Sequence, residues 1–417
     1  MRGNRRNLII IVYLLMVILL ARVIIWIEPA QLKKKMSEGL SENAEKLVIY
    51  IMQESNIKVS YIMRDDSNVM EKLADSVNRT SNVYSFVENS YSKENLVIYD
   101  PNTYKTTQIA VAEQTVTQEE HVVAEEKKEA ETVQQEPAKE QENVVKETLA
   151  PAFSLEQLAD FDFVKSNLYI VPERASVLPE DLDTKVLLEK DMSIVKDASV
   201  PQILIYHTHG SETFADSTED IKGTGIIAVG GKLAEILSSV YGYNVIHCTE
   251  IFDNVNGVFD RSKAYDYSRE TVQQILTDNP SVQVIIDLHR DGVREDLHLV
   301  TDINGKPTAR IMFFNGVSRS SAQGDISYLY NQYRSDNLSF SLQAKLEALC
   351  KYPDFTRKNY IDAYQYNLDL MPRAMLIEAG AQTNTLQEEL NAMEPLADIL
   401  DSVLSGESRE HLGLDSN

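Results

Sequence analysis

From about residue 160 onward the chain alternates between short apolar runs and longer stretches whose apolar residues recur at helical spacing. The short runs predict buried strands at 202–206 (QILIY), 243–247 (YNVIH), 282–288 (VQVIIDL), 310–314 (RIMFF) and 374–377 (AMLI). The spaced stretches predict helices at 229–241, 265–276, 340–350 and 386–404, the first of them closed by Gly242 as a C-cap. Strands that alternate with helices predict an α/β domain over 156–410, with a largely parallel sheet flanked by helices. In such sheets the reactive groups gather in loops at the carboxyl ends of the strands.

The residues ahead of this domain follow other patterns. Residues 8–27 (LIIIVYLLMVILLARVIIWI) are apolar except for Arg22, and a helix of about 20 residues spans a bilayer core. Arg2, Arg5 and Arg6 precede the run without any acid, while Arg22 and Trp26 suit the far interface. The reading is a single transmembrane anchor after a cytoplasmic tail of 1–7, with the rest of the chain outside the membrane. A cleaved signal peptide fits less well, because the run is long and no small-residue cleavage site follows it. Residues 28–105 read as a juxtamembrane region, helical or extended, with helical stretches at 44–53 and 68–77 and no evident chemistry. Residues 106–155 are rich in Glu, Gln, Lys and Val and poor in aromatics, which predicts a disordered acidic linker that lets the domain reach away from the membrane. His121 within it is not read as a ligand, and residues 411–417 read as a tail.

Charge and cysteine content narrow the classes. A net charge of -24 repels a polyanion, so nucleic acid is excluded as a partner. Cys248 and Cys350 belong to no CxxC pair, so a cysteine-based zinc site is not expected.

Three predicted strands end in polar clusters: YHTHGSE at 206–212, IIDLHRDG at 285–292, and LIEAGAQTNT at 376–385. The first two hold three of the seven histidines. Imidazole and carboxylate are natural zinc ligands, and a hydrolytic zinc site uses three protein ligands and one water. The candidates are His209, Glu212 and His289 as ligands, with Glu378 as the general base and acid. His207 competes with His209, because in an extended run the two would share a face; one of them would then polarise an oxyanion. Glu378 stands out because a carboxylate that ends a buried strand costs free energy unless it is paired or working. Arg290 and Asp291 are read as braces of their loop, and His247 and His298 as structural. No G-x-S-x-G elbow supports a serine nucleophile.

These motifs in this order, YHTHGSETF, IIDLHRDGV and LIEAGAQTNTLQEE, closely resemble the stage II sporulation protein P family over about residues 195–405. That family is similar to the zinc-dependent N-acetylmuramoyl-L-alanine amidases. The resemblance implies an amidase-like fold, peptidoglycan as substrate, and cleavage of the amide between the muramic lactyl group and L-alanine. It also implies a role in engulfment during sporulation, alongside stage II sporulation proteins D and M at the cell membrane. By position His209 and His289 match ligand histidines, and Glu378 matches the catalytic glutamate. In those amidases the ligand glutamate stands further downstream, which makes Glu219 an alternative to Glu212. The rival readings are a zinc endopeptidase or deacetylase on the same polymer, or a non-catalytic wall-binding scaffold.

Overall fold

The computed structural model describes residues 95–104, 152–255 and 257–414, all within the unit Val83–Asn417. The apolar segment 8–27, the stretches 44–53 and 68–77, His121 and nearly all of the acidic segment lie outside the described residues. Among the described residues no helix is long and apolar enough to cross a membrane.

Eight strands form the main sheet: β1 (Leu96–Tyr99), β2 (Tyr169–Ile170), β3 (Ile203–Tyr206), β4 (Val245–Cys248), β5 (Val284–Asp291), β6 (Ile311–Gly316), β7 (Asn359–Asp362) and β8 (Ala374–Ala381). Their spatial order is β1-β4-β3-β5-β8-β6-β7-β2. The centre, β4, β3, β5 and β8, is parallel throughout. The predicted α/β domain with a mostly parallel sheet is therefore present. Val284 to His289 are all buried, as expected for a strand covered on both faces.

The flanks depart from the prediction. β6 runs antiparallel to β8, and β7 and β2 continue in the direction of β6. The reason is the connection. Between β5 and β6 the chain makes only the hairpin Val300–Ile303 with Lys306–Ala309, with no crossover helix. It therefore re-enters the sheet at the end where β5 stopped. At the opposite edge β1 lies antiparallel to β4, so the sheet takes a strand from the segment read as juxtamembrane, ahead of residue 156.

Four long helices cover the sheet: α1 (Ile226–Ser239), α2 (Ala264–Asp278), α3 (Arg334–Lys351) and α4 (Leu386–Ser405). The period-2 alternation of the strands divides their residues between two layers. Ile203, Ile205, Ile286 and Ile377 pack with Leu233 of α1 and Leu396 of α4. Leu204, Ile285 and Leu376 face the other way, onto Val272 and Ile275 of α2. α4 starts with a capping box, in which Thr385 and Glu388 satisfy each other's backbone N–H groups. Gly242 after α1 takes φ +78, with its N–H on the Ser238 carbonyl, as the predicted cap requires.

α3 explains why its N-terminal part escaped the prediction. Every residue from Asn337 to Ala348 is buried, polar ones included. It lies against the sheet on one side and against the short helices Phe161–Leu168 and Thr184–Glu189 on another. Its polar residues are bonded, with Ser341 donating to Asn315 and Gln343 to the Leu187 and Lys190 carbonyls. Such a helix shows no clean apolar stripe. Cys248 and Cys350 are both free.

Candidate active site

The site lies at the carboxyl ends of the central parallel strands, on the α2 face. In the β5–β8 ladder His289 stands opposite Glu378, and Asp287 opposite Leu376. Paired residues on one face of a sheet have Cβ atoms about 5 Å apart. β3 stops at Tyr206, and the chain then turns through 208–210, with the Glu212 N–H on the His209 carbonyl at 3.2 Å. That turn brings His209 and Glu212 over the same face. The His209 and His289 rings meet edge to face at 5.3 Å, and Glu212 Oε2 is 3.6 Å from His289 Nδ1. His209, Glu212, His289 and Glu378 thus come together from three separate strand ends.

The turn also separates His207 from His209. Extended geometry ends at Tyr206, so the expectation that the two histidines share a face fails. His207 continues the inward alternation of Ile203 and Ile205 and points at α1. Its Nδ1 lies 2.7 Å from the Leu288 carbonyl and its Nε2 lies 2.8 Å from His247 Nε2. Burial lowers the His207 pKa to about 4 and drives that of His247 well below the usual value, so both rings are neutral. A carbonyl only accepts, so His207 carries its proton on Nδ1 and receives a bond from His247 Nε2–H. His207 is therefore a brace on the residue before His289. Glu219 is exposed on a loop and makes no contact with the cluster. Arg290 lies against Glu212 and the loops around it. Its backbone N–H donates to Glu212 Oε2 at 3.0 Å, and its side chain donates to the Thr213 and Asp291 carbonyls. His298 pairs with Glu388 at 2.8 Å, away from the cluster.

α1 passes so close that a Cβ on Gly230 would lie 2.5 Å from His207 Nε2 and 2.9 Å from His247 Nε2. Gly230→Ala should gain about 1 kcal/mol of helix propensity. The overpacking should outweigh this, giving a net loss on the order of 1–2 kcal/mol. Urea unfolding would show a lower midpoint at unchanged m-value; a raised midpoint would mean that the imidazoles move aside freely.

Four residues that carry no assignment from the sequence complete the site. Asp287 is fully buried, accepts from Thr208 N–H at 2.8 Å and Thr208 Oγ1 at 2.6 Å, and lies 2.8 Å from His289 Nε2. Asp253 stands 3.6 Å from His209 Nδ1 and accepts from Ser211. Arg261 donates to Glu212 Oε1 at 2.5 Å. Tyr265, at the start of α2, packs edge-on against His209 at 5.6 Å. Asp287 was open to the argument that selected Glu378, since it too is an acid in an apolar strand. Asp253, Arg261 and Tyr265 carry no motif that would single them out.

Burial would suppress the charge on His289, but Asp287 and Glu212 outweigh it and hold the imidazole pKa well above its usual value. Burial would likewise raise Glu212, yet His289, the Arg290 N–H and His209 bring it down to about 2. Glu378 has no such compensation. Burial, aided by Glu212 and the neighbouring aspartates, pushes it up to about 8 against the pull of His289. Its Oε2 is buried without a hydrogen-bond partner.

Among the described residues no three His, Cys, Asp or Glu side chains are already drawn into a metal shell. The donor set nevertheless fits zinc. Adjacent ligands of a tetrahedral zinc lie about 3.4 Å apart, from bond lengths near 2.1 Å. The 3.6 Å between Glu212 Oε2 and His289 Nδ1 is close to that. Each imidazole also turns its other nitrogen toward a carboxylate, His289 to Asp287 and His209 to Asp253. That is the usual support of ligand histidines. The nitrogens on the carboxylate side, His209 Nδ1 and His289 Nε2, make no aligned hydrogen bond here.

The model of the stage II sporulation protein P family matches residues 72–401. The chain belongs to that family. It is 29% identical over 211 residues to stage II sporulation protein P of Bacillus subtilis (strain 168). That match covers 47% of this chain and 49% of the relative, so the chain spans about half the length of the curated relative it matches. Among solved structures, the CwlD amidase of Clostridioides difficile in complex with the GerS lipoprotein is 15% identical. It covers 51% of this chain and 100% of its own, with a TM-score of 0.31. The N-acetylmuramyl-L-alanine amidase Ami1 of Mycobacterium smegmatis is 10% identical, covers 51% and 98%, and has a TM-score of 0.29. Scores this low support no inference about activity. The sporulation protein P assignment rests on the family match and on the ordered motifs.

Proposed function

We propose that this chain is a zinc-dependent N-acetylmuramoyl-L-alanine amidase. In this reading it cuts the bond between the muramic lactyl group and the stem peptide during engulfment. The observation that carries the reading is the register of β5 and β8, which sets a protonatable Glu378 opposite His289 beside His209 and Glu212. Zinc held by His209, Glu212 and His289 would supply a water ionisable near neutral pH and polarise the scissile carbonyl. Asp253 and Asp287 keep the two imidazoles oriented. Glu378 takes the proton of the attacking water and passes it to the leaving L-alanine nitrogen. A carboxyl with a pKa near the working pH suits both transfers. Tyr265 walls the His209 ring from the α2 side. The proposal extends to anchorage by residues 8–27, with the domain outside the membrane, and to partnership with sporulation proteins D and M.

Digestion of purified peptidoglycan tests the chemistry. An amidase releases intact stem peptides with a free L-alanine amine, which mass spectrometry identifies. Fragments cut within the stem, or loss of acetyl groups alone, would replace this reading with an endopeptidase or a deacetylase.

A further inference from the structure

The α2 face of the sheet carries aromatic rings well beyond the catalytic residues. Met312 of β6 stands opposite Glu378, and Phe314 follows two residues along on the same face. Phe314 stacks on Tyr360 of β7, with centroids 5.2 Å apart and planes 19° apart. Tyr366 stands edge-on to Phe314 at 4.8 Å and to Tyr265 at 5.4 Å. Tyr265 is the residue that packs against His209, so the rings form an unbroken path outward from the cluster. The path ends in solvent at Tyr364, which is 6.4 Å from the Tyr366 ring and 51% exposed. Tyr330, 69% exposed, belongs to a neighbouring segment whose backbone carbonyl accepts from the side chain of Gln365, the residue after Tyr364.

The loop that presents Tyr364 is rigidly built. Tyr366 and Asn367 both adopt the left-handed region, at φ 52 and 57. For a residue as bulky as tyrosine this conformation is strained, and such strain persists only where the surroundings over-determine it. Here Asn367 donates to the Tyr265 carbonyl and Ser268, and Tyr366 donates to Asp362, which Arg174 clamps with two bonds of 2.6 Å. The loop also packs on Gly316, where a Cβ would lie 2.4 Å from the Tyr364 carbonyl. A tyrosine left exposed on a backbone fixed in this way is preorganised for a ligand, because little loop ordering remains to be lost on binding.

We propose that Tyr364, with Tyr330 on the segment that Gln365 ties to its loop, is a stacking subsite for the glycan strand of the substrate. This rests on peptidoglycan being that substrate. A pyranose presents a face of C–H groups to an aromatic ring and keeps its hydroxyls at the edge, where tyrosine hydroxyls can meet them. Tyrosine, with a hydroxyl at its rim, suits a ligand that is apolar on its face and polar at its edge better than it suits an apolar peptide or a lipid tail.

Binding of peptide-free glycan strands, repeating N-acetylglucosamine and N-acetylmuramic acid, to the full-length chain tests this. These strands have no amide to cut, so binding reads the subsite separately from hydrolysis. Tyr364→Ala and Tyr330→Ala should each weaken binding about 10-fold, while Tyr364→Phe should stay within about twofold of the parent. Thermal melts check folding, and Tyr330→Ala stands alone if Tyr364→Ala fails to fold. Equal affinity of the alanine variants and the parent overturns the subsite. So does an equal loss with phenylalanine, because the ring would then not be the contact. If the parent hydrolyses peptidoglycan while the alanine variants bind strands normally, the subsite fails and the amidase reading stands. Tyrosine-dependent strand binding without hydrolysis upholds the subsite and overturns the amidase reading. A parent chain that neither binds strands nor cuts peptidoglycan overturns both.

Discussion

Glu378→Gln should lower turnover of peptidoglycan by roughly 100- to 10,000-fold, the range for loss of a general acid–base group. Glutamine keeps the size and shape of the side chain, so zinc content and the melting of the domain serve as controls. The same substitution should raise stability at alkaline pH. The unfolded chain releases this proton near 4.5, whereas the native fold holds it to about 8. The native state therefore binds more protons across that window, and its stability falls as pH rises from about 4.5 to about 8. Glutamine has no proton to lose and escapes that fall. Chemical unfolding of the zinc-depleted protein at pH 8 should then find the variant more stable than the parent. A variant that keeps full activity would remove Glu378 from the mechanism, whatever its stability.

The two histidines should separate metal binding from folding. His209→Ala and His289→Ala are both expected to drop bound zinc from near one per chain to near zero. Chelation of the parent should abolish activity, and added zinc should restore it. Their effects on stability should differ. His289 is buried between Asp287 and Glu212, and its removal leaves two buried carboxylates without their shared cation. Breaking a buried pair in this way costs about 3 kcal/mol or more. His209 stands 3.6 Å from Asp253, which keeps its bonds from the Ser211 backbone and hydroxyl when the imidazole is removed, so the stability loss there should be much smaller. Equal unfolding midpoints for the two variants would contradict the charge arrangement. Full zinc content in both would remove them as ligands.

The candidate site was legible in the sequence where chemistry follows directly on a buried strand. His289 and Glu378 are such residues, and a parallel sheet gathers strand ends without any knowledge of the loops. His207 was misplaced because period-2 reasoning holds only while the backbone stays extended, and here it stops one residue earlier. Asp253, Arg261 and Tyr265 were illegible because tertiary packing alone brings them to His209 and Glu212. The fold followed the same division. The central strands, the helices α1, α2 and α4 and the C-terminal part of α3 emerge from their own periodicity. The reversal of β6 depends on a connection without a helix, and β2 and β7 are too short or too polar to stand out.

β1 carries a consequence for the acidic stretch between residues 105 and 151. Tyr99 lies in the sheet, and the chain is again part of the same folded unit from Ala152 onward. The stretch is therefore flanked on both sides by residues of one folded unit. Its length affects loop-closure entropy, which grows only slowly with the number of residues. Shortening it should therefore change the stability of the domain little. A protease that cuts it would leave two fragments held together by the β1–β4 ladder.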